Sequence, residues 1–335
     1  MGTIGNLDDP RLRYDYEQRE HGTVEPDTKR APFRWVSEVA YKNVHRIVAR
    51  GYDTTELVEQ GYNLADMIFI DYQARIPLLE EQKMLNYVMI LALDDGLSSP
   101  AAISRIVTSS QTLLTQAAGS SILAFGHAYG AFDAFGKMLD NYLAMAEKEG
   151  KTQAEIAEVL VREHLNDEYL GVSSLMLKDP AAKRMFARAE KLGVAGQYIA
   201  FTREIVKAAQ KISEEPLDLD MLGAMGATMM DLGFSPEATW AILAVTRAFA
   251  AGAHFCEEME REPFERFGQR LTPKEYYDGP EDRPVPPLEE REKFAAAEQY
   301  KTPEEWKEGF DRKQKMKGTG WAIVEDIADP RTMKK

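Results

Sequence analysis

Cysteine is almost missing from this chain: Cys256 is the only one in 335 residues. That excludes a disulfide framework within one chain, and a reducing, cytoplasmic setting is the simple expectation. One cysteine inside an apolar helical segment reads as buried filler rather than as a nucleophile. No run of about 18 apolar residues occurs, so no membrane-spanning helix is expected. Positive charge is also in short supply. The 41 Lys and Arg stand against 55 Asp and Glu, a formal net charge of −14. This excludes a general attraction for nucleic acid or anionic lipid, and leaves room for a local basic pocket for a phosphate-bearing ligand. Met1 to Glu20 is rich in charge without an apolar stretch, and does not read as a secretory signal. Hairpin signals are lacking too, since Asp95-Gly96 and Asp278-Gly279 have no flanking apolar alternation.

What is present is helical. Residues 1–34, with Pro10, Pro26 and Pro32, read as a polar arm. From residue 75 onward helix signals dominate. Ile76-Pro77 precedes Glu80-Glu81, acidic residues that suit a helix N-terminus, and the helix stops at Asp94-Asp95-Gly96. Ser99-Pro100 opens the next helix, with Ser99 as its cap. The segment from Pro100 to about Leu123 is dense in Ala, Ser and Gly, which lets another backbone come close. Thr152 caps a helix through Ile156, Val159 and Leu160. Asp179-Pro180 starts another, and residues 197–212, 220–232 and 236–259 repeat the pattern, the last behind Ser235-Pro236. Gly279-Pro280, Pro284, Pro286 and Pro287 mark a boundary. Residues 281–335 read as a charged extension with one short helix at Pro303-Glu304-Glu305-Trp306.

Five histidines are available for chemistry. His21 lies in the polar arm, and His45 has no polar cluster beside it. His164 reads as a solvated or edge residue of an amphipathic helix. His254 lies one turn from Glu257 and Glu258, too few ligands for zinc. His127 stands apart in Phe125-Gly126-His127-Ala128-Tyr129-Gly130. Its flanking glycines would let the backbone turn and approach a ligand, so His127 is either a hydrogen-bond donor to a substrate oxygen or a satisfied structural residue. The Gly-rich stretch lacks the Lys-Ser/Thr ending and preceding strand of a phosphate loop. Asp179 and Asp220 fall at helix starts and read as N-caps. Arg247, amid Ala244, Val245, Ala248 and Phe249, needs an anion, which either a structural Asp or a substrate carboxylate could supply.

Taken in order, several segments resemble the citrate synthase superfamily, most closely its citryl-CoA lyase branch. They are Arg50-Gly51-Tyr52-Asp53, Ile76-Pro77 with Glu80, Leu93-Asp94-Asp95-Gly96-Leu97, Gly126-His127 and Lys178-Asp179-Pro180. They continue with Asp218-Leu219-Asp220, Leu232-Gly233-Phe234, Thr246-Arg247, Ala253-His254 with Glu257, and Tyr277-Asp278-Gly279-Pro280. The order and spacing carry the resemblance over roughly residues 45–280. It implies an all-α fold with a large helical domain (1–127 and 224–280) into which a small one (128–223) is inserted. It also implies a homodimer or dimer of dimers. The implied chemistry joins or splits a carbon–carbon bond beside a coenzyme A thioester, which enters as substrate, with no tightly bound cofactor and no metal. Carried over, His127 matches the enol-stabilising histidine, Asp220 the base and Arg247 a carboxylate-binding arginine. The first site histidine of the family falls on Asp95 and the ketone-polarising one on Ser174. The arginine expected ahead of a proline falls on Thr272 before Pro273, with Arg270 nearby. The thioester half of the site looks intact and the keto-acid half rebuilt. The expectation is an acyl-CoA lyase acting on something other than citryl-CoA. The condensing direction and a non-catalytic CoA-binding or regulatory homologue are the alternatives.

Overall fold

Helices dominate the chain as expected, yet the described part begins in strand. The computed structural model describes residues 37–42, 45–174, 180–262, 285 and 287–290. The arm at 1–34, Asp179, Arg270, Thr272-Pro273, Tyr277 to Pro280 and the Pro303–Trp306 helix lie outside the described residues. Two compact units divide the chain, Met1–Thr108 with Thr112–Glu258 and Ser109–Gln111 with Met259–Lys335. In the second, apart from two helix ends, the described structure is a 3-10 turn at Leu288–Glu290.

The first unit opens with a small antiparallel sheet, β1 (Ala40–Lys42), β2 (Ile47–Ala49) and β3 (Tyr52–Asp53), in the order β1-β2-β3. Sequence reading missed it because strands of two or three residues show no alternation. The β2–β3 turn uses Arg50-Gly51 in place of the usual Asn-Gly, with φ of 46° and 91°. Two successive left-handed residues match the twist of a hairpin. Arg50 is held there by donating to the Asp71 carbonyl at 3.1 and 3.3 Å.

Helices follow from residue 54, earlier than expected: α1 (Thr54–Glu59), α2 (Leu64–Gln73), α3 (Leu79–Leu93), α4 (Ser99–Ser109), α5 (Leu114–Leu123) and α6 (His127–Gly130). They continue as α7 (Phe132–Glu149), α8 (Gln153–His164), α9 (Pro180–Leu192), α10 (Gln197–Ile212), α11 (Met221–Asp231) and α12 (Pro236–Arg261). Strands β4 (Val172–Ser174) and β5 (Leu217–Leu219) pair antiparallel. No described helix is long and apolar enough to cross a membrane.

Most caps fall where the sequence placed them. Thr152 accepts from Glu155 at α8, and the Ser235 hydroxyl accepts from Ala238 at α12. At α3, Glu81 receives Leu78 N–H at 2.7 Å while also gripping the Arg75 guanidinium. One cap shifts: α4 already includes Ser99, and the carbonyl of Ser98 takes the first turn's bond from Ala102. The small-residue segment is two helices rather than one. Its small side chains serve packing, with the Ser104 hydroxyl donating to the Ala251 carbonyl of α12 at 3.0 Å.

The core gathers Phe69, Leu85, Phe135, Leu139, Met185 and Phe201 from α2, α3, α7, α9 and α10. Beside it, Asp231 at the end of α11 caps α10. Its carboxylate accepts N–H from Gly196 (2.7 Å), Tyr198 (3.0 Å) and Ile199 (3.0 Å). Burial pushes the Asp231 carboxyl up against the pull of these three donors. Asp231→Ala leaves three amides at the start of α10 without their acceptor. It is expected to cost about 2 kcal/mol in urea unfolding, with an unchanged m-value.

Candidate functional site

Helix α12 is 26 residues long and sets one side of the site. Trp240, Arg247 and His254 recur every seven residues, two turns apart, and so fall along one stripe. Between them they reach two pieces of chain, the end of α3 with the loop after it, and Phe125. Trp240 donates its indole N–H to the Phe125 carbonyl at 3.2 Å. The Arg247 guanidinium donates through Nε to the Ala92 carbonyl at 2.7 Å and lies 5.9 Å from the centre of the Phe125 ring. His254 Nε2 lies 3.5 Å from Asp94 Oδ1.

Arg247 is 12% exposed, and its Nη1 lies 3.3 Å from Asp95 Oδ2 and 3.5 Å from the Ser98 hydroxyl. The anion that this arginine required is thus present in the chain itself. Asp95 is 61% exposed, so it does not sit in an apolar pocket; it is an acidic arm laid over a shielded cation. Two residues singled out separately by the sequence meet here.

His127 opens α6, with its Nε2 3.2 Å from Asp133 Oδ1 of α7. Its ring tilts onto Trp240, 5.0 Å between centres, and its side chain is 59% exposed. Neither flanking glycine takes the left-handed conformation, contrary to the backbone-turn expectation. A side chain at Gly126 would meet open space, whereas one at Gly130 would collide with the Phe132 ring. Gly130 is therefore a packing requirement. Tyr129 fastens α6 to the start of α4, its phenol oxygen 2.6 Å from the Ser99 hydroxyl and accepting Ser99 N–H.

Asp220 caps α11, its Oδ1 accepting Gly223 N–H at 2.8 Å. Its own N–H donates to the Gly171 carbonyl at 3.3 Å. Gly171, at φ 79°, and Gly223 touch backbone to backbone, so a Cβ on either would strike the other. Phe135 of α7 packs on Gly171 and Gly226, so α7 supports the Asp220 turn while its Asp133 faces His127. Ser174 lies at the other end of the β4–β5 ladder. It pairs with Leu217, whereas Val172 pairs with Leu219 beside Asp220. Two residue steps, about 7 Å, separate those positions along the strand.

Two further sequence expectations need correction. Cys256 is exposed, because it falls off the α12 face that buries Ala250, Ala251 and Glu258. His164 is no solvated edge residue: Asp167 and Tyr142 hold both ring nitrogens, at 2.6 and 3.0 Å. Glu257 and Glu258 belong to Arg105, at 2.7 and 2.6 Å. Sequence reasoning also passed over Trp240 and Asp133, and gave His254 no site role beyond a weighed metal pairing and a place in the resemblance. The seven-residue spacing from Arg247 was the signal that could have found two of the three. A cavity of about 400 Å³ is lined by Lys183, Phe186, Arg203, Val206, Lys207, Gln210, Asp218 and Leu219, the last next to Asp220.

A family model described as "Citrate synthase, C-terminal domain" matches residues 36–268. A search of curated proteins finds no match. Solved structures share the fold. Citryl-CoA lyase from Hydrogenobacter thermophilus is 23% identical, over 78% of this chain and 100% of that one, with a TM-score of 0.65. ATP citrate lyase from Methanosaeta concilii, in complex with (3S)-citryl-CoA, is 13% identical over 78% of this chain, with a TM-score of 0.56. Citrate synthase from Thermoplasma acidophilum, bound to carboxymethyl coenzyme A and oxaloacetate, is 20% identical over 68%, with a TM-score of 0.54. The chain spans 44% of the ATP citrate lyase and 60% of the citrate synthase.

Proposed function

This chain belongs to the citrate synthase family, and from that premise we propose that it is an acyl-CoA carbon–carbon lyase working on a thioester other than citryl-CoA. The observation that carries the reading is the Arg247–Asp95 ion pair. In the resemblance, this arginine awaits a substrate carboxylate. Here a carboxylate of the chain already occupies it, and a small dicarboxylate such as oxaloacetate would have to displace Asp95 and approach against like charge. A less charged keto partner fits better.

In this reading His127 donates a hydrogen bond to the thioester oxygen as the enolate forms. Asp220 carries the proton to or from the acyl carbon. Ser174 hydrogen-bonds the keto partner's oxygen; a hydroxyl both donates and accepts there but does not replace an imidazole as a base. The cavity beside Leu219 presents Lys183, Arg203 and Lys207, each paired with a carboxylate of the chain (Asp218, Glu190 and Glu204), so a phosphate of coenzyme A would compete with those carboxylates there. Cleavage is taken from the resemblance to the lyase branch, and condensation uses the same groups in reverse.

The proposal includes a large domain of residues 1–127 and 224–280 carrying a small one of residues 128–223. It also includes pairing of two copies. Helices α5 and α12 touch where Leu114 meets Gly252, and they leave Leu113, Leu123, Val245 and Phe249 exposed.

Incubation with a panel of 3-hydroxyacyl-CoA esters, followed by mass spectrometry, tests the reading. Release of acetyl-CoA with one member and little or none with citryl-CoA is expected, and efficient citrate formation would sink it. Asp95→Asn uncovers Arg247 and is expected to lower the KM for a carboxylate-bearing partner by about two- to fivefold, the worth of one solvent-facing charge contact.

A further inference from the structure

A second group of ionisable residues, remote in sequence from Arg247 and His127, joins α7 to the end of α8. His164, the last residue of α8, has Nδ1 at 2.6 Å from Asp167 Oδ2 and Nε2 at 3.0 Å from the Tyr142 phenol oxygen. Tyr142 in turn donates to Glu163 Oε2 in a short contact. Tyr169 bonds to the Asp167 carboxylate. The titratable groups around His164 are therefore Tyr142 from α7, Glu163 from α8, and Asp167 and Tyr169 from the connector that follows.

Counting protons constrains this network. A phenol has one proton to give, and ionised carboxylates only accept. If Tyr142 gives its proton to Glu163, then His164 Nε2 must donate to the phenol oxygen. Nδ1 must also donate to Asp167, so the ring carries both protons. If His164 is neutral instead, Tyr142 must donate to Nε2 and Glu163 must be protonated to donate to Tyr142. In either arrangement every bond is satisfied only when the network holds one proton more than a neutral imidazole with two carboxylates. Burial, followed by the hydrogen bond to Glu163, pushes the Tyr142 phenol up to about 12, so it keeps its proton. Hydrogen bonds from His164 and then Tyr169 hold the Asp167 carboxyl below its ordinary range, so it stays an acceptor.

We propose that Tyr142, Glu163, His164 and Asp167 form a proton-binding clasp that fastens the 165–171 connector to α7. That connector ends at Gly171, whose carbonyl receives the Asp220 N–H, so the clasp steadies the strand beneath Asp220. The closed network binds one proton more than the open one. Its contribution is present at low pH and is lost as pH rises through release of that proton.

The full chain, labelled with 15N at histidine, tests the clasp without reference to catalysis. His164→Gln assigns the resonance against His21, His45, His127 and His254. At about pH 7.5, where a free imidazole has lost its second proton, the expected spectrum still has both His164 nitrogens protonated, or one of them with a protonated Glu163 carboxyl seen by 13C labelling. A singly protonated His164 beside an ionised Glu163 at that pH would overturn the proposal. Tyr142→Phe removes the bridging hydroxyl. It is expected to lower the melting temperature by about 4 °C at pH 6 and by less than half that at pH 9. An equal loss at both values would also overturn it.

Discussion

Asp220→Asn is expected to slow any carbon–carbon chemistry on a CoA thioester by about 10²–10⁴-fold, the usual worth of a positioned general base. The same change should move the melting temperature by no more than about 2 °C. The two expectations separate because Asp220 holds two jobs. Its Oδ1 caps α11 by accepting Gly223 N–H, and an asparagine oxygen caps a helix equally well. The amide that replaces the second oxygen cannot take up a proton. Asp220→Ala removes both roles, so its loss of activity would be confounded with about 1 kcal/mol of lost capping. Single-turnover rates with the thioester identified in the panel, read beside thermal melts, make the distinction. If Asp220→Asn retains the parent's rate, the aspartate is a cap alone and the assignment of the base fails.

Gly171→Ala is expected to be strongly disruptive for stability, at about 2–5 kcal/mol. Two costs add. The residue sits at φ 79°, where a Cβ is strained by about 1–2 kcal/mol. The new methyl would also press into the Phe135 ring and the Gly223 backbone, an overpacking cost of about 1–3 kcal/mol. Phe135 is fully buried and cannot swing aside. In a unit of this size the sum lowers the melting temperature by roughly 5–15 °C. Gly150→Ala is the control. It shares a left-handed φ of 65°, but a Cβ there meets nothing. Its loss should be about half or less, and equal losses would mean that the close approach of Gly171 and Gly223 contributes little.

Local signals explain what the sequence made legible. Thr152 and Ser235-Pro236 announce helices because capping is a matter of three or four adjacent residues. The helical expectation held for the same reason, along α8, α10 and α12. What stayed hidden was formed between distant segments. Arg247's need for an anion was readable from its apolar neighbours, but the choice of Asp95 depends on how α12 packs against the loop after α3. The approach of Gly171 to Gly223 left no trace, since neither glycine is part of a recognisable turn motif. His164 looked like a solvated residue because helical periodicity says nothing about Tyr142 on the neighbouring helix. The sheet at 40–53 escaped because its turn, Arg50-Gly51, is held partly by a tertiary bond to Asp71.

The stripe on α12 has an evolutionary consequence. Trp240, Arg247 and His254 are spaced by helix geometry alone, about 10 Å from one to the next, and no substitution among their partners alters that interval. Apart from the Ala92 carbonyl at the end of α3 and the ring of His127 at the start of α6, the segments they meet, Asp94 to Ser98 and Phe125-Gly126, are short connectors that tolerate change more readily than a packed helix. Such a site resembles a wrench with one fixed jaw. The helix preserves the spacing while exchanges at positions such as Asp95 re-gauge the opening, so a new substrate preference needs only a few loop substitutions and no rebuilding of the fold.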